Sequence, residues 1–510
     1  MKEIHTIGIA GAGAMGRGIA QIAAQAGLGV VMFDVQPAAL VAARDNLDST
    51  FKTLVSKGKI TQEAAQAAMT GIAFAEDINA FAACDLVIEA IVERLDVKQQ
   101  FFRQLETVVA PDCILVSNTS SLSITSIAAV CERPARVAGY HFFNPVPLMK
   151  VVEVVDGLRS DPRVGDALME LSRRMGHTPV RAKDMPGFIV NHAGRGMNTE
   201  GLRVAQECVA SFQTIDEIMR EQAGFRMGPF ELMDLTGLDV SHPVMESVYR
   251  QFFDEPRFKP SPLGTVRVAG GLFGRKSKGG FYDYVDGQKQ IAPAVPAPRM
   301  EGVTKVWISH LHEQGHALAG HLLRGLGAAI QMGSTPDPDC LLVVTPYGQD
   351  VSTTVAQQGL DPARTIGLDT FNGFDQTKRR TLMVSPATDP QWRDRAHALL
   401  SHDGVPVSVI QDSPGFVAQR IVAMIVNIAC DIAQQGIATP QDIDRAVNLG
   451  LGYPKGPLTM GDALGPAKVL EVLRNLQAVT GDPRYRPSLW LQRRVQLGMS
   501  LLAVSATQRA

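Results

Sequence analysis

The apolar positions at the head of the chain change pattern three times before Asp34. IHTIGIA is a β-like run, the alanine-rich stretch after the glycines has helical spacing until Gly27 stops it, and VVMFD is again continuous and apolar. That order predicts strand, crossover helix, strand. Strands over CDLVIEAI (84–91), ILVSN (114–118) and RVAGYHFF (136–143), with a helix near 97–109, keep the alternation going. Between Asp34 and a strand near Gly71, about 35 residues read as two helices broken at SKGKIT, longer than a usual crossover. In MKVVEVVDG, Glu153 sits among valines in a run that predicts burial on both faces.

The first turn carries candidate chemistry. Gly11, Gly13 and Gly16 form GxGxxG, with Ala14 and Met15 inside it. The first glycine permits a tight turn, the second lets backbone approach a pyrophosphate, and the third permits close helix–strand packing. The helix N-terminus adds unpaired N–H groups. Asp34 closes the second strand, where a carboxylate accepts from a ribose hydroxyl and repels a 2′-phosphate. The pattern predicts a Rossmann-type α/β domain binding NAD rather than NADP, with FAD as the rival cofactor.

Composition narrows the classes. With 510 residues, three or four domains are expected. A chain that is 45% hydrophobic and 20% charged with net charge −2 describes a soluble globular protein without the basic excess that nucleic acid or anionic membrane attracts. The six cysteines lie far apart with no CxxC or Cys/His cluster, so reduced thiols, a cytoplasmic setting and no metal site are expected. The opening IHTIGIA suggests no signal or transit segment, no run is apolar enough to span a bilayer, and the final ATQRA carries no recognisable address.

YHFFNPVP places His141 at the end of a strand running into a loop twice broken by proline. If the chain doubles back at NPVP, Glu153 faces His141. A buried carboxylate needs a partner, and a histidine held by an acid has a fixed tautomer suited to a general base. A satisfied core histidine is the competing reading. SNTSSLSIT brings hydroxyls and an amide to the carboxyl edge of the sheet, and KDMPGFIVN puts Asn191 at the beginning of a helix. Ser120 and Ser121 also suit helix capping, and Asn191 ordinary turn duty. Jointly, a nicotinamide site, a His/Glu pair and polar groups at strand ends describe alcohol oxidation.

GAGAMG, AIVERLDVKQ, SNTSSLSIT, HFFNPVPLMKVVEVV, DMPGFIVN, GFRMGPFELMDLTGLD and GRKSKGGFYDY, in this order over residues 4–284, resemble the L-3-hydroxyacyl-CoA dehydrogenase family. The resemblance implies NAD-dependent, reversible oxidation of a (3S)-3-hydroxyacyl-CoA to the 3-ketoacyl-CoA, a step of fatty-acid β-oxidation. It makes His141 the base for the 3-hydroxyl proton and Glu153 the group that orients it. Ser120 and Asn191 match positions contacting the reacting oxygen and substrate. Asn144, Glu93, Lys98 and Lys276 match positions near the cofactor. Thr50 and Lys57, in the helical pair after Asp34, match positions handling the CoA thioester, although the lysines of SKGK also suit a solvated turn.

An internal repeat accounts for the remaining length. DMPGF at Asp184 and DSPGF at Asp412, the GP pairs at Gly228 and Gly456, and Asn144 with Asn372 are each 228 residues apart. The second copy has Asp369 for His141, Thr381 for Glu153 and Gln419 for Asn191, with no glycine loop before it, so it is expected to be structural. The expected division is a NAD-binding Rossmann domain over 1–184 and a helical substrate or dimerisation domain over 185–284. A proline-rich linker over 285–302, a degenerate partial Rossmann-like segment over 303–410 and a second all-α domain over 411–510 complete it. Family members with one helical domain pair through it, so the second copy is expected to form an internal pseudo-dimer, with a homo-oligomer left open.

Arg195, four residues after Asn191, is expected to share its helix face, where a guanidinium suits a second, terminal carboxylate. That fits 3-hydroxyadipyl-CoA, as in aromatic-acid breakdown of the phenylacetate type. A short-chain ester such as 3-hydroxybutyryl-CoA, or a structural pair for Arg195, are the alternatives. At the level of function, the alternatives are another 3-hydroxyacid dehydrogenase of similar plan, which typically uses lysine, and a non-catalytic NAD-binding structural protein.

Overall fold

The computed structural model describes residues 3–302 and 304–504, which leaves ATQRA outside the described residues. The elements begin with β1 (Thr6–Ala10), α1 (Ala14–Gln25), β2 (Gly29–Phe33), α2 (Pro37–Ser56), α3 (Gln62–Thr70) and β3 (Ile72–Ala75). Next come β4 (Leu86–Glu89), α4 (Leu95–Glu106), β5 (Ile114–Ser117), α5 (Ile124–Ala128), β6 (Val137–Phe142), β7 (Val151–Asp156), α6 (Pro162–Arg174) and β8 (Thr178–Lys183). The first helical set is α7 (Val190–Ala193), α8 (Arg195–Gln206), α9 (Phe212–Glu221), α10 (Pro229–Thr236), α11 (Leu238–Gln251) and α12 (Pro262–Ala269). A small hairpin, β9 (Tyr284–Val285) and β10 (Gln288–Lys289), precedes β11 (Lys305–Ile308), α13 (Glu313–Gly325), β12 (Ala329–Ile330), β13 (Leu341–Val344) and α14 (Val351–Gln358). Then follow β14 (Thr365–Leu368), β15 (Arg380–Val384), α15 (Pro390–Leu400) and β16 (Val407–Gln411). The chain closes with α16 (Ala418–Gln434), α17 (Pro440–Leu451), α18 (Pro457–Leu464), α19 (Pro466–Thr480) and α20 (Leu489–Gln496).

The chain divides into two compact units: residues 1–192 with 435–451, and residues 193–434 with 452–510. The first unit is built on an eight-stranded sheet in the order β3-β2-β1-β4-β5-β6-β7-β8. Every neighbouring pair is parallel except β6 with β7, which the reversal at NPVP makes antiparallel. Its strands are continuous apolar runs because both faces are covered. On one face α1, α2, α3 and α6 bury Ile19, Leu47, Ala65 and Leu168; on the other α4 and α5 bury Phe102, Leu105 and Ile127. The long crossover is α2 and α3, separated by the turn at Lys57–Ile60, with Thr61 capping α3 by accepting the Ala64 N–H. The distant helix α17 packs on β7 and β8 of the same unit.

The second unit contains a six-stranded sheet, β12-β11-β13-β14-β15-β16, in which β14 and β15 are again the antiparallel pair. Here β11, α13 and β12 form a right-sized strand–helix–strand unit, but SHLHEQG replaces the glycine turn, and no strands intervene before β13. The nearly wholly buried α16 packs against α8 and also against α18, α19 and α20. Arg420 and Glu200, both fully buried, pair at 2.5 Å, and the Tyr485 hydroxyl donates to the same Glu200 at 2.7 Å.

The repeated motifs have a physical basis. Asp184 accepts the Ile124 and Thr125 N–H groups and the Ser123 hydroxyl, fastening the start of α5 to the end of β8. Asp412 does the same for Val351, Ser352 and the Ser352 hydroxyl at α14. Gly228 and Gly456 are N-caps with proline at the first helical position.

Candidate active site

The turn after β1 is closed by the Gly11 N–H donating to Phe33 O at 2.8 Å, with Gly11 at φ +108°. A Cβ on Gly16 would lie 1.8 Å from Gly11 O, so only glycine allows α1 to approach the strand this closely. Gly13 caps α1 with open space in front of it, Ala14 is exposed, and Met15 packs partly against the core. Asp34 accepts the Ala12 N–H at 2.8 Å through one oxygen and the Gln36 N–H at 2.9 Å through the other. An open cleft of about 780 Å³ lies here, lined by Gly11, Gly13, Asp34, Gln36, Ile91 and Phe101 among others. A free helix N-terminus facing an open cleft, with an acid at its rim, fits a dinucleotide.

Along the same sheet, His141 on β6 and Glu153 on β7 are direct cross-strand partners. His141 Nδ1 lies 2.6 Å from Glu153 Oε2, and the Ser120 hydroxyl lies 3.0 Å from His141 Nε2. The other Glu153 oxygen accepts the Ile189 and Val190 N–H groups, each at 2.9 Å. A carboxylate only accepts, so Nδ1 donates to it, and Nε2 is the nitrogen turned towards the Ser120 hydroxyl. His141 and Glu153 are 2% and 0% exposed, so this is a dry, fully partnered pair. The Phe143 and Phe188 rings flank the imidazole, with centroids at 4.4 and 5.8 Å. The Asn191 amide, in α7, donates to Ser120 O at 3.3 Å.

Ser120 and Ser121 do not cap α5; Ser123 does, accepting from Ser126 N. Instead Glu93 holds the 119–121 turn, accepting the Thr119 hydroxyl at 2.6 Å and the Ser120 and Ser121 N–H groups at 3.0 and 3.2 Å. Burial pushes its carboxyl upward, but Lys98 and these donors outweigh that and hold it below the usual range. Lys98 is 1% exposed and bridges Glu93 at 3.2 Å and Glu89 at 2.6 Å. Glu89 was not singled out in the sequence. It also accepts the Ser117 hydroxyl at 2.6 Å and the Ile91 N–H at 2.7 Å, tying the ends of β4 and β5 together. Asn118, the amide of SNTSSLSIT, accepts the Phe142 N–H at 2.8 Å and joins β5 to β6 beside His141. Acids or amides at the ends of apolar runs were the available signal.

The other expected residues have the following local settings. Asn144 is exposed and precedes Pro145. Thr50 is half-buried on α2, and Lys57 is its exposed C-cap. In the second unit, Lys276 pairs with Asp239 at 2.5 Å. Arg195 opens α8 and is 4% exposed; burial pushes its guanidinium down to about 10, against an opposing effect of Tyr453, which leaves it cationic at neutral pH. Asn191 lies in α7 and Arg195 opens α8, with Gly194 between them in right-handed helical backbone (φ −61°, ψ −17°).

The family model described as "3-hydroxyacyl-CoA dehydrogenase, NAD binding domain" matches residues 6–185, and the one described as "3-hydroxyacyl-CoA dehydrogenase, C-terminal domain" matches twice, at 187–284 and 415–501. The chain is 38% identical over 511 residues to the 3-hydroxyadipyl-CoA dehydrogenase of Escherichia coli strain K12, covering 98% of each. It is 42% identical to a probable 3-hydroxybutyryl-CoA dehydrogenase of Bacillus subtilis, covering 55% of this chain and 98% of the relative. Among solved structures, a 3-hydroxybutyryl-CoA dehydrogenase from Escherichia coli K12 superposes with a TM-score of 0.85 at 37% identity, covering 97% of this chain and 99% of the other.

Proposed function

Because the chain belongs to the 3-hydroxyacyl-CoA dehydrogenase family and is an NAD-dependent oxidoreductase of 3-hydroxyacyl-CoA thioesters, we propose that His141 is the base of the reaction, oriented by Glu153. The observation that supports this most directly is the line from the Ser120 hydroxyl through the imidazole to Glu153, at 3.0 and 2.6 Å. His141 Nε2 takes the 3-hydroxyl proton, with the Ser120 hydroxyl holding the oxygen beside it. Glu153 stabilises the imidazolium that forms, and in the reverse direction the same nitrogen returns the proton. Gly11, Gly13, Ala14, Met15 and Gly16 would hold the pyrophosphate of NAD and Asp34 its ribose. When bound, NAD supplies the hydride acceptor for C3. Glu93 and Lys98 set the shape of the 119–121 turn from beneath.

For the acyl group, 3-hydroxyadipyl-CoA is the favoured substrate, with a short-chain ester such as 3-hydroxybutyryl-CoA second. The relative named for the first aligns over nearly the whole of both chains, and Arg195 offers a buried cation for a terminal carboxylate. The two helical segments form an internal pseudo-dimer through α8 and α16, supported by the buried Arg420–Glu200 pair between the copies. The five-part division given above describes the copies; six free thiols, five of them buried, favour the cytoplasm. No described helix is long and apolar enough to cross a membrane.

The test is NADH oxidation with acetoacetyl-CoA and with carboxylated 3-ketoacyl-CoA esters, in the natural chain and in His141→Ala and Arg195→Ala. Lost turnover with retained NADH binding in His141→Ala supports the base; retained turnover discards it. Equal losses on both ester classes in Arg195→Ala discard the carboxylate role.

A further inference from the structure

Helix α17 belongs to the first unit although it lies more than two hundred residues beyond β8. It is fastened there by the Lys183 N–H donating to Ile437 O at 2.8 Å and the Arg181 N–H donating to Asp442. Near its end, a Cβ on Gly450 would lie 3.0 and 3.1 Å from the two Val190 methyls and 3.5 Å from Val151 Cγ1. Val190 is 1% exposed, and its N–H is one of the two that hold Glu153. It therefore has little room to yield.

The repeat supplies an independent observation. Gln222, 228 residues before Gly450, ends α9. Its amide donates to Asp369 Oδ2 at 2.7 Å, and its carbonyl accepts from the Thr381 hydroxyl at 2.5 Å. Asp369 and Thr381 occupy the places of His141 and Glu153 in the second copy. In that copy the side chain at this helix position reaches the strand pair and saturates it. In the first copy the same position is glycine.

We propose that Gly450, contributed by the second half of the chain, is a positioning residue for the reaction assigned to His141. Its missing side chain lets Val190 sit where its N–H orients Glu153, and it keeps the pair clear of a polar group such as Gln222 brings to Asp369 and Thr381. This rests on the reading of His141 and Glu153 as the base pair. Gly450 has helical backbone within α17, so alanine there changes the space and not the allowed conformation.

The experiment measures kcat, KM for NADH and thermal unfolding for Gly450→Gln, Gly450→Ala and Gly450→Ala with Val190→Ala, in the full chain. The expected result is a kcat lowered about tenfold in Gly450→Gln and less in Gly450→Ala, with KM for NADH unchanged. Val190→Ala, which makes room, restores the Gly450→Ala rate. Unchanged kcat in both single variants overturns the proposal, as does a loss that follows the unfolding temperature and is not restored by Val190→Ala. Should Gly450→Gln not fold, the alanine pair decides alone. His141→Gln is run alongside: turnover surviving there overturns the base-pair reading itself, whereas loss there with none at Gly450 isolates the failure to this inference.

Discussion

Glu153 holds His141 with one carboxylate oxygen at 2.6 Å while its other oxygen is held by the Ile189 and Val190 N–H groups. The acid is thus fixed from both sides, by the imidazole on the neighbouring strand β6 and by the entry to α7. Glu153→Gln keeps the shape but offers an amide that can turn its NH2 towards Nδ1 or towards the two N–H donors. The expected outcome is a kcat lowered by about 10²–10⁴ with KM for NADH little changed, checked by steady-state NADH oxidation with acetoacetyl-CoA.

Lys98 lies under the active-site turn with Glu89 and Glu93 as its two acids. Lys98→Met leaves the fully buried Glu89 without its cation and should destabilise the first unit by about 3–5 kcal/mol. Adding Glu89→Gln removes the stranded charge and recovers a large part of the loss. Urea unfolding of the single and double variants measures both.

Glu93 sets an acid limit. Its carboxyl lies below the usual range in the fold, so its contribution to stability is fully present above the unfolded value of about 4.3 and is lost as pH falls through the folded value. Unfolding free energy should therefore decline below about pH 4 more steeply in the natural chain than in Glu93→Gln. Urea titrations across this range compare the two slopes.

Asp34 stands at the rim of the cofactor cleft with an oxygen on each of two backbone N–H groups. Asp34→Ser removes the charge that would face a 2′-phosphate. The preference for NADH over NADPH, read as the ratio of kcat/KM values, should fall by about tenfold or more.

The strand order and the cofactor turn were legible because period and glycine spacing are local properties. His141 opposite Glu153 was legible because the prolines between them force a reversal, and an acid among valines demands a partner. Glu89 was not: as the last residue of a four-residue strand it reads as a boundary, and its partner Lys98 lies on the buried face of α4 with Phe102 and Leu105, where a lysine is not expected. The return of α17 to the first unit was illegible for a different reason. Its apolar positions show that one face is buried, but they carry no address for the surface that buries it.

That return makes the first unit discontinuous, with consequences for synthesis. The eight strands are complete once Lys183 has emerged, yet the surface of β7 and β8 awaits a helix ending at Leu451. A nascent chain halted in the proline-rich stretch near residue 295 should therefore expose that surface to chaperones and proteases. Completing the unit closes a loop spanning nearly half the polypeptide, so its final docking should be slow and follow translation.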